Sequence, residues 1–123
     1  MRACRAALKP GGRMGFFTIF VADGLSERDY RRALRSGPNF ASTRRRDHTE
    51  MLASAGFASV EEIDLTAEFL TTTRAWLEGR ERYREELIAA EEAARFEERQ
   101  NDSRIQAGAT EDGLLRRSLF VCS

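Results

Sequence analysis

The sequence predicts an α/β fold, and more narrowly the later part of a larger sheet domain. Three observations predict it. The segment LKPGGR (Leu8 to Arg13) stops a short helix and feeds directly into the apolar run MGFFTIFV (Met14 to Val21). A run that apolar reads as a strand buried on both faces, and such strands belong to parallel sheets flanked by helices. Helix and strand signals then alternate to the end of the chain, while only one short helix precedes the first strand. A parallel strand needs neighbours, so earlier strands of the sheet are expected outside these 123 residues.

Each element has its own local reason. Arg2 to Leu8 alternates Ala, Cys and Leu with arginine, and Pro10-Gly11-Gly12 ends that helix because proline cannot continue it. After the strand, Ala22-Asp23-Gly24 is a breaker, and Ser26 with Asp29 three residues on marks a helix start for Glu27 to Arg35. Ser36-Gly37-Pro38-Asn39 is a loop. Asp47 caps the next helix with Glu50 as the reciprocal partner, Met51, Leu52 and Ala55 give its apolar side, and Gly56 closes it. Val60, Ile63 and Leu65 in SVEEIDL read as a short strand, and Thr66 caps a further helix. From Thr73 to about Arg99 the chain is rich in Arg, Glu and Ala. Trp76, Leu77, Tyr83, Leu87 and Ile88 form one apolar stripe on a charged rod, helped by i,i+4 pairs such as Glu91 with Arg95. A polar turn is expected around Asn101 to Gly108, and Leu119, Phe120 and Val121 mark a closing strand. The long helix before that strand leaves its direction open.

Composition narrows the function classes. At 41% apolar residues a modest single core is possible, and extended disorder is excluded. Formal net charge is zero although 33% of residues are charged, so there is no global field to steer nucleic acid and no basic surplus for a membrane surface. Lys9 is the only lysine, and the arginine excess reads as a genome bias rather than phosphate chemistry. Cys4 and Cys122 are the only cysteines, without a CxxC or Cys/His cluster for zinc or any signal-peptide pattern. The longest apolar stretch, Met14 to Ala22, is too short to span a bilayer. A cytoplasmic protein with reduced thiols and no bound metal is expected.

LKPGGR before an apolar strand resembles the turn that launches the fifth strand of class I S-adenosylmethionine-dependent methyltransferases. TEMLASAGFASVEEIDLT is similar to that family's next helix, its Ala-Gly-Phe turn and its sixth strand, and RRSLFVCS to its seventh. TTTRAWLEGRERYREEL with GLLRRSLF looks like a subgroup with a helical insert before the final strand. The resemblance runs from Arg2 to Ser123. It implies the C-terminal part of a Rossmann-like methyltransferase sheet over 1–123: three strands, the last antiparallel, with flanking helices and a long helical insert over 66–108. It implies S-adenosylmethionine as cofactor. The family's grip on that cofactor is a glycine-rich loop after the first strand and an acidic residue ending the second. Gly11 and Gly12 precede a strand, so no cofactor-binding residue is assigned in this chain.

Ligands of open α/β sheets sit beyond the carboxyl ends of the strands. For the first strand that places Thr18, Phe20 and Asp23 at a methyl-acceptor pocket, with core packing of Phe16, Phe17, Ile19 and Phe20 as the competing reading. His48, the only histidine, is a candidate general base, although the first helical position after Asp47 is usually exposed. Arg44-Arg45-Arg46 could meet an acidic group, but a solvated loop explains it better. Trp76 and Tyr83 share a helix face and form either a substrate lid or a packing stripe, and Phe40 lies in a segment where such enzymes build substrate contacts. The resulting expectation is the acceptor-side half of a methyltransferase acting on a small molecule, with neither nucleic acid nor membrane as partner. The alternative is a non-catalytic interaction module whose open sheet edge self-associates or pairs with the N-terminal half.

Overall fold

The computed structural model describes residues 1–38 and 47–123. Its elements in chain order are α1 (Arg2–Ala7), β1 (Met14–Val21), α2 (Glu27–Ser36), α3 (His48–Ser54), β2 (Val60–Asp64), α4 (Thr66–Arg82), α5 (Arg84–Glu91), α6 (Ala93–Glu111) and β3 (Leu115–Cys122). The strands form one sheet in the order β1-β3-β2, and β3 is antiparallel to both neighbours. β1 and β2 therefore run the same way with β3 between them. Across the three strands Phe16, Phe120 and Glu62 share one row, and Phe17, Leu119 and Ile63 share the next.

Local chemistry explains the entries and exits. The Gly12 N–H donates to the Lys9 carbonyl at 2.8 Å, closing the turn into β1, and a Cβ on Gly12 would lie 2.9 Å from that same oxygen. Gly11 beside it has φ +75°, a conformation that disfavours a side chain. Ser26 caps α2 reciprocally: its Oγ accepts from the Asp29 N–H at 3.1 Å and donates to the Asp29 carboxylate at 2.9 Å. Asp47 caps α3 by accepting from the Thr49 N–H at 2.9 Å, and Gly56 leaves that helix at φ +96°. At α4 the N-cap position is Leu65, and the side chain that serves the helix start is that of Asp64 rather than Thr66. The Asp64 Oδ1 accepts from the Thr66 N–H at 3.0 Å and from its hydroxyl at 2.6 Å.

Alternation along the strands sends successive side chains to opposite faces, and each face carries its own core. One is Leu52, Phe57, Phe120 and Cys122, with Leu8, Met14, Phe16, Phe20 and Val60 against it. The other is Ala33, Ala109, Leu114 and Leu115, with Ile19, Val21 and Leu25. The second face is covered only in part. Phe17 is 56% exposed and Ile63 is 38% exposed. β1 is thus not buried on both faces within this chain, and no two adjacent strands are parallel. Its continuous apolarity overstated the cover available to it here.

The helical stretch departs most from expectation. One rod followed by a turn was predicted, whereas three helices fill Thr66–Glu111 and α6 runs straight through residues 101–108. The breaks fall at Tyr83 and at Glu92, whose φ is +71° although it is not glycine. What folds the stretch back is a buried kernel within a charged sequence: Phe96 and Gln100 are almost fully enclosed. The Arg80 and Arg84 guanidinium groups lie 5.0 and 4.9 Å from the Phe96 ring centre. The Glu91 carboxylate pairs with Arg80 and Arg99, each at 2.7 Å, in place of the expected Arg95. Gln100 accepts from the Arg80 Nε at 3.1 Å and donates to the Leu77 carbonyl at 3.3 Å.

Phe96→Ala should cost about 3–5 kcal/mol in urea unfolding, and Trp76→Ala less than about 0.5 kcal/mol. Equal losses would contradict the buried kernel. Arg80→Lys keeps the charge but loses the fork that serves Glu91 and Gln100 together. It should cost about 1–3 kcal/mol in the same measurement.

Candidate functional site

Because β1 and β2 share a direction, their carboxyl ends lie at one end of the sheet, where β3 begins. Register and alternation place Thr18 and Phe20 of β1, Glu62 and Asp64 of β2, and Arg116, Ser118 and Phe120 of β3 on one face there. α3 packs over that face through its inward positions, one turn apart: His48 and Leu52.

His48 is only 8% exposed. This corrects the expectation of an exposed first-turn residue. The Asp47 cap sets the helix entry so that His48 follows Leu52 inward. The imidazole packs against two phenylalanines, its ring centre 5.0 Å from that of Phe20 and 5.1 Å from that of Phe120, stacked on the latter, while the two phenylalanine rings lie 6.4 Å apart. Phe16 stacks on Phe120 at 5.5 Å, which extends the aromatic layer. Burial holds the imidazole pKa below its ordinary value, and the carboxylates of Asp47, Glu62 and Asp23 offset that only in part. His48 is therefore the neutral base at neutral pH.

The polar rim is organised by β3. The buried Ser118 hydroxyl donates to the Glu62 carboxylate at 2.7 Å. Arg116 donates to Asp64 at 2.9 Å, lies 3.9 Å from Glu62, and sits with its guanidinium 5.6 Å from the centre of the Phe20 ring. Hydrogen bonds from Thr66, then from Arg116, hold the Asp64 carboxyl below its usual range against a smaller effect of burial. No group of three or more His, Cys, Asp or Glu side chains among the described residues is placed to hold a metal ion.

The structure thus brings Phe20 and His48 into contact and sets Asp23 in the turn after β1, close enough to act electrostatically on the imidazole. Thr18 is half-buried, opposite Ser118 across the β1–β3 pair. Trp76 is not gathered there. It lines a separate surface groove of about 500 Å³ with Ala75, Gly79, Arg80, Tyr83 and Leu87. Trp76 and Tyr83 are both more than half exposed, so they are not a packing stripe. Phe40 and Arg44-Arg45-Arg46 lie outside the described residues. Sequence reasoning missed Glu62, Asp64, Arg116 and Ser118. Their signal was alternation with Val60 and Phe120, readable only once the strand register is known.

No protein-family model and no curated protein matches the sequence. Among solved structures the chain is similar to phospholethanolamine N-methyltransferase 2 of Haemonchus contortus, solved with phosphomonomethylethanolamine and S-adenosylhomocysteine. The TM-score is 0.82 at 17% identity. The chain has the fold of part of a methyltransferase. The likeness covers 98% of this chain and 28% of the Haemonchus chain. No helix of this methyltransferase-like fold, among the described residues, is long and apolar enough to cross a membrane.

His48 fixes the sign of a pH dependence. The unfolded chain takes up its proton near 6.5 and the folded chain only at lower pH. Stability is therefore full above 6.5 and falls as pH drops through that value toward the lower folded one. Urea midpoints measured from pH 8 to pH 5 should show the decline, and His48→Phe should flatten it while keeping the ring stack. The contribution of Asp64 lies in a separate window, below its ordinary 3.8. An unchanged slope in His48→Phe would contradict the assignment.

Proposed function

We propose that this chain is the acceptor-side, C-terminal portion of a class I S-adenosylmethionine-dependent methyltransferase acting on a small molecule. The single observation that carries the reading is the match of nearly the whole chain, at a TM-score of 0.82, to a methyltransferase solved with phosphomonomethylethanolamine and S-adenosylhomocysteine. The antiparallel closing strand supports it, as does a site at the carboxyl ends of β1 and β2, where ligands of such Rossmann-like sheets bind. Zero net charge supports a small-molecule acceptor over a nucleic acid or a membrane.

S-adenosylmethionine, when bound, supplies an electrophilic methyl group. The residues described here do not fit its grip. The paired glycines are consumed by the turn into β1, where a Cβ at Gly12 would collide with the Lys9 carbonyl. The strand-to-helix connection after β1 holds one glycine, Gly24, and no glycine-rich cradle. In this reading the cofactor is held by other parts of such a domain. These residues orient the acceptor instead: Phe20 walls it, Arg116 and Glu62 fix its polar groups, and Thr18 and Asp23 edge the opening.

A second reading has its own observation. Phe17 and Ile63, exposed on either side of the half-buried Leu119, form an apolar row across the sheet, and among the described residues the outer edges of β1 and β2 are unpaired. An interaction module that self-associates, or pairs with the N-terminal portion of the domain, would use that face.

Amide spectra of the 123-residue chain, titrated with S-adenosylhomocysteine and with a panel of small amines and alcohols, separate these readings. The acceptor-side reading expects shifts at Thr18 to Asp23 and at Arg116 from the panel, and cofactor-product binding weaker than about 1 mM. Micromolar binding of S-adenosylhomocysteine would sink the acceptor-side assignment, and silence toward the whole panel would favour the interaction module.

A further inference from the structure

Cys4 and Cys122 are the only cysteines, they stand at opposite ends of the sequence, and both thiols are free. The fold brings them to one corner. Cys122 lies opposite Met14 of β1 and Val60 of β2, is 2% exposed, and directs its Sγ toward the Met14 carbonyl at 3.7 Å. Met14 opens the strand into which α1 feeds.

The neighbours of Cys4 set α1 over that same corner. Leu8, one turn after Cys4 on the same helix face, packs against the core that contains Cys122. Arg5 donates from its Nε to the Gly56 carbonyl at 3.2 Å, and its guanidinium lies 6.0 Å from the ring centre of Phe57, a member of the same core. Cys4 itself is exposed. Burial, and to a smaller extent the nearby Cys4, push the Cys122 thiol pKa up. The two thiols therefore differ in kind: one is open to reagents and the other is sealed and protonated. The hold on α1 is also light. None of its residues is buried, no side chain caps its start, and a helix of six residues has little stability of its own.

We propose that Cys4 and Cys122 form a reversible disulfide that latches α1 onto the end of β3, made by exchange with a small disulfide such as oxidised glutathione. The exposed Cys4 thiolate attacks one sulfur of oxidised glutathione, and the sulfur–sulfur bond breaks to release a glutathione thiolate, which is protonated. Cys122 then gives up its proton, attacks the Cys4 sulfur of the mixed disulfide and displaces the second glutathione. Two protein thiols are oxidised while one glutathione disulfide is reduced to two thiols, so electrons and protons balance. The order is fixed by access, because a reagent reaches Cys4 and not Cys122. The inference stands apart from the acceptor-side reading and uses none of its residues.

The test is intact-mass and peptide analysis of the full chain after equilibration in reduced and oxidised glutathione and quenching with an alkylating agent. The native chain should become a monomer two hydrogens lighter, with Cys4 joined to Cys122. It should do so with roughly tenfold less oxidised glutathione than the same chain in urea, since the fold gathers the two sulfurs. The oxidised chain should melt about 5 °C or more above the reduced one, as expected for a link that closes nearly the whole chain. Cys4→Ser, at an exposed position that leaves the core intact, should keep Cys122 free of glutathione. A lasting glutathione adduct on Cys4 beside a free Cys122, or a dimer linked through Cys4, would overturn the proposal. So would a bond that forms more readily in urea, an oxidised chain that melts below the reduced one, or glutathione on Cys122 in Cys4→Ser.

Discussion

β3 is the last of the strands and the middle one of the sheet, so among the described residues neither β1 nor β2 has a partner until residues 115–122 insert between them. The Cys122 thiol meets the Met14 carbonyl across 108 residues. Closing loops of that length costs chain entropy before any contact repays it. The return is spread over both sheet faces. Leu115 is the centre of one core, Phe120 and Cys122 belong to the other, and Ser118 between them is fully enclosed. The ends of the strand are fastened as well: the Leu65 N–H donates to the Arg117 carbonyl at 2.9 Å, and Ser59 and Ser123 exchange hydrogen bonds beyond Cys122. A residue lost from β3 is therefore felt in both cores and in both strand pairs at once.

The same insertion assembles the polar site. An antiparallel middle strand brings its own beginning against the carboxyl ends of its neighbours. Arg116 and Ser118, a few residues from the C-terminus, thereby come to Phe20, Glu62 and Asp64. A parallel strand in that place would have presented its far end instead. The site is a consequence of strand direction, and no segment of the sequence contains it whole.

This explains what could be read in advance. Met14–Val21 was legible because a continuous apolar run after Pro-Gly-Gly admits few alternatives, and the Ser26 and Asp47 caps were legible because capping is local chemistry. Phe20, Asp23 and His48 were legible as candidates from their place after a strand and at a helix start. Glu62, Asp64, Arg116 and Ser118 were not, since as single residues in charged segments they look solvent-facing until register pairs them. The burial of His48 was missed for the opposite reason: a local rule about first-turn exposure yielded to the sheet it lands on. In the helical stretch the periodicity of Trp76 and Tyr83 pointed at residues that stay exposed, while the true kernel, Phe96 and Gln100, was masked by its charged neighbours.

That masking shows what the arginines do. Nearly every cation in this chain is arginine, which reads from composition alone as a bias without structural meaning. In the fold, Arg80 and Arg84 cover Phe96, Arg116 covers Phe20, Arg117 lies 5.0 Å from both Phe17 and Phe69, and Arg5 lies 6.0 Å from Phe57. A planar, weakly hydrated guanidinium can lie on an aromatic face while its edge still serves a carboxylate, which a lysine ammonium does less well. Among the described residues, arginine stems and faces complete the cover of phenylalanines that apolar side chains leave open. The same device recurs beside His48. Arg116 lies over Phe20 while His48 packs against the same ring.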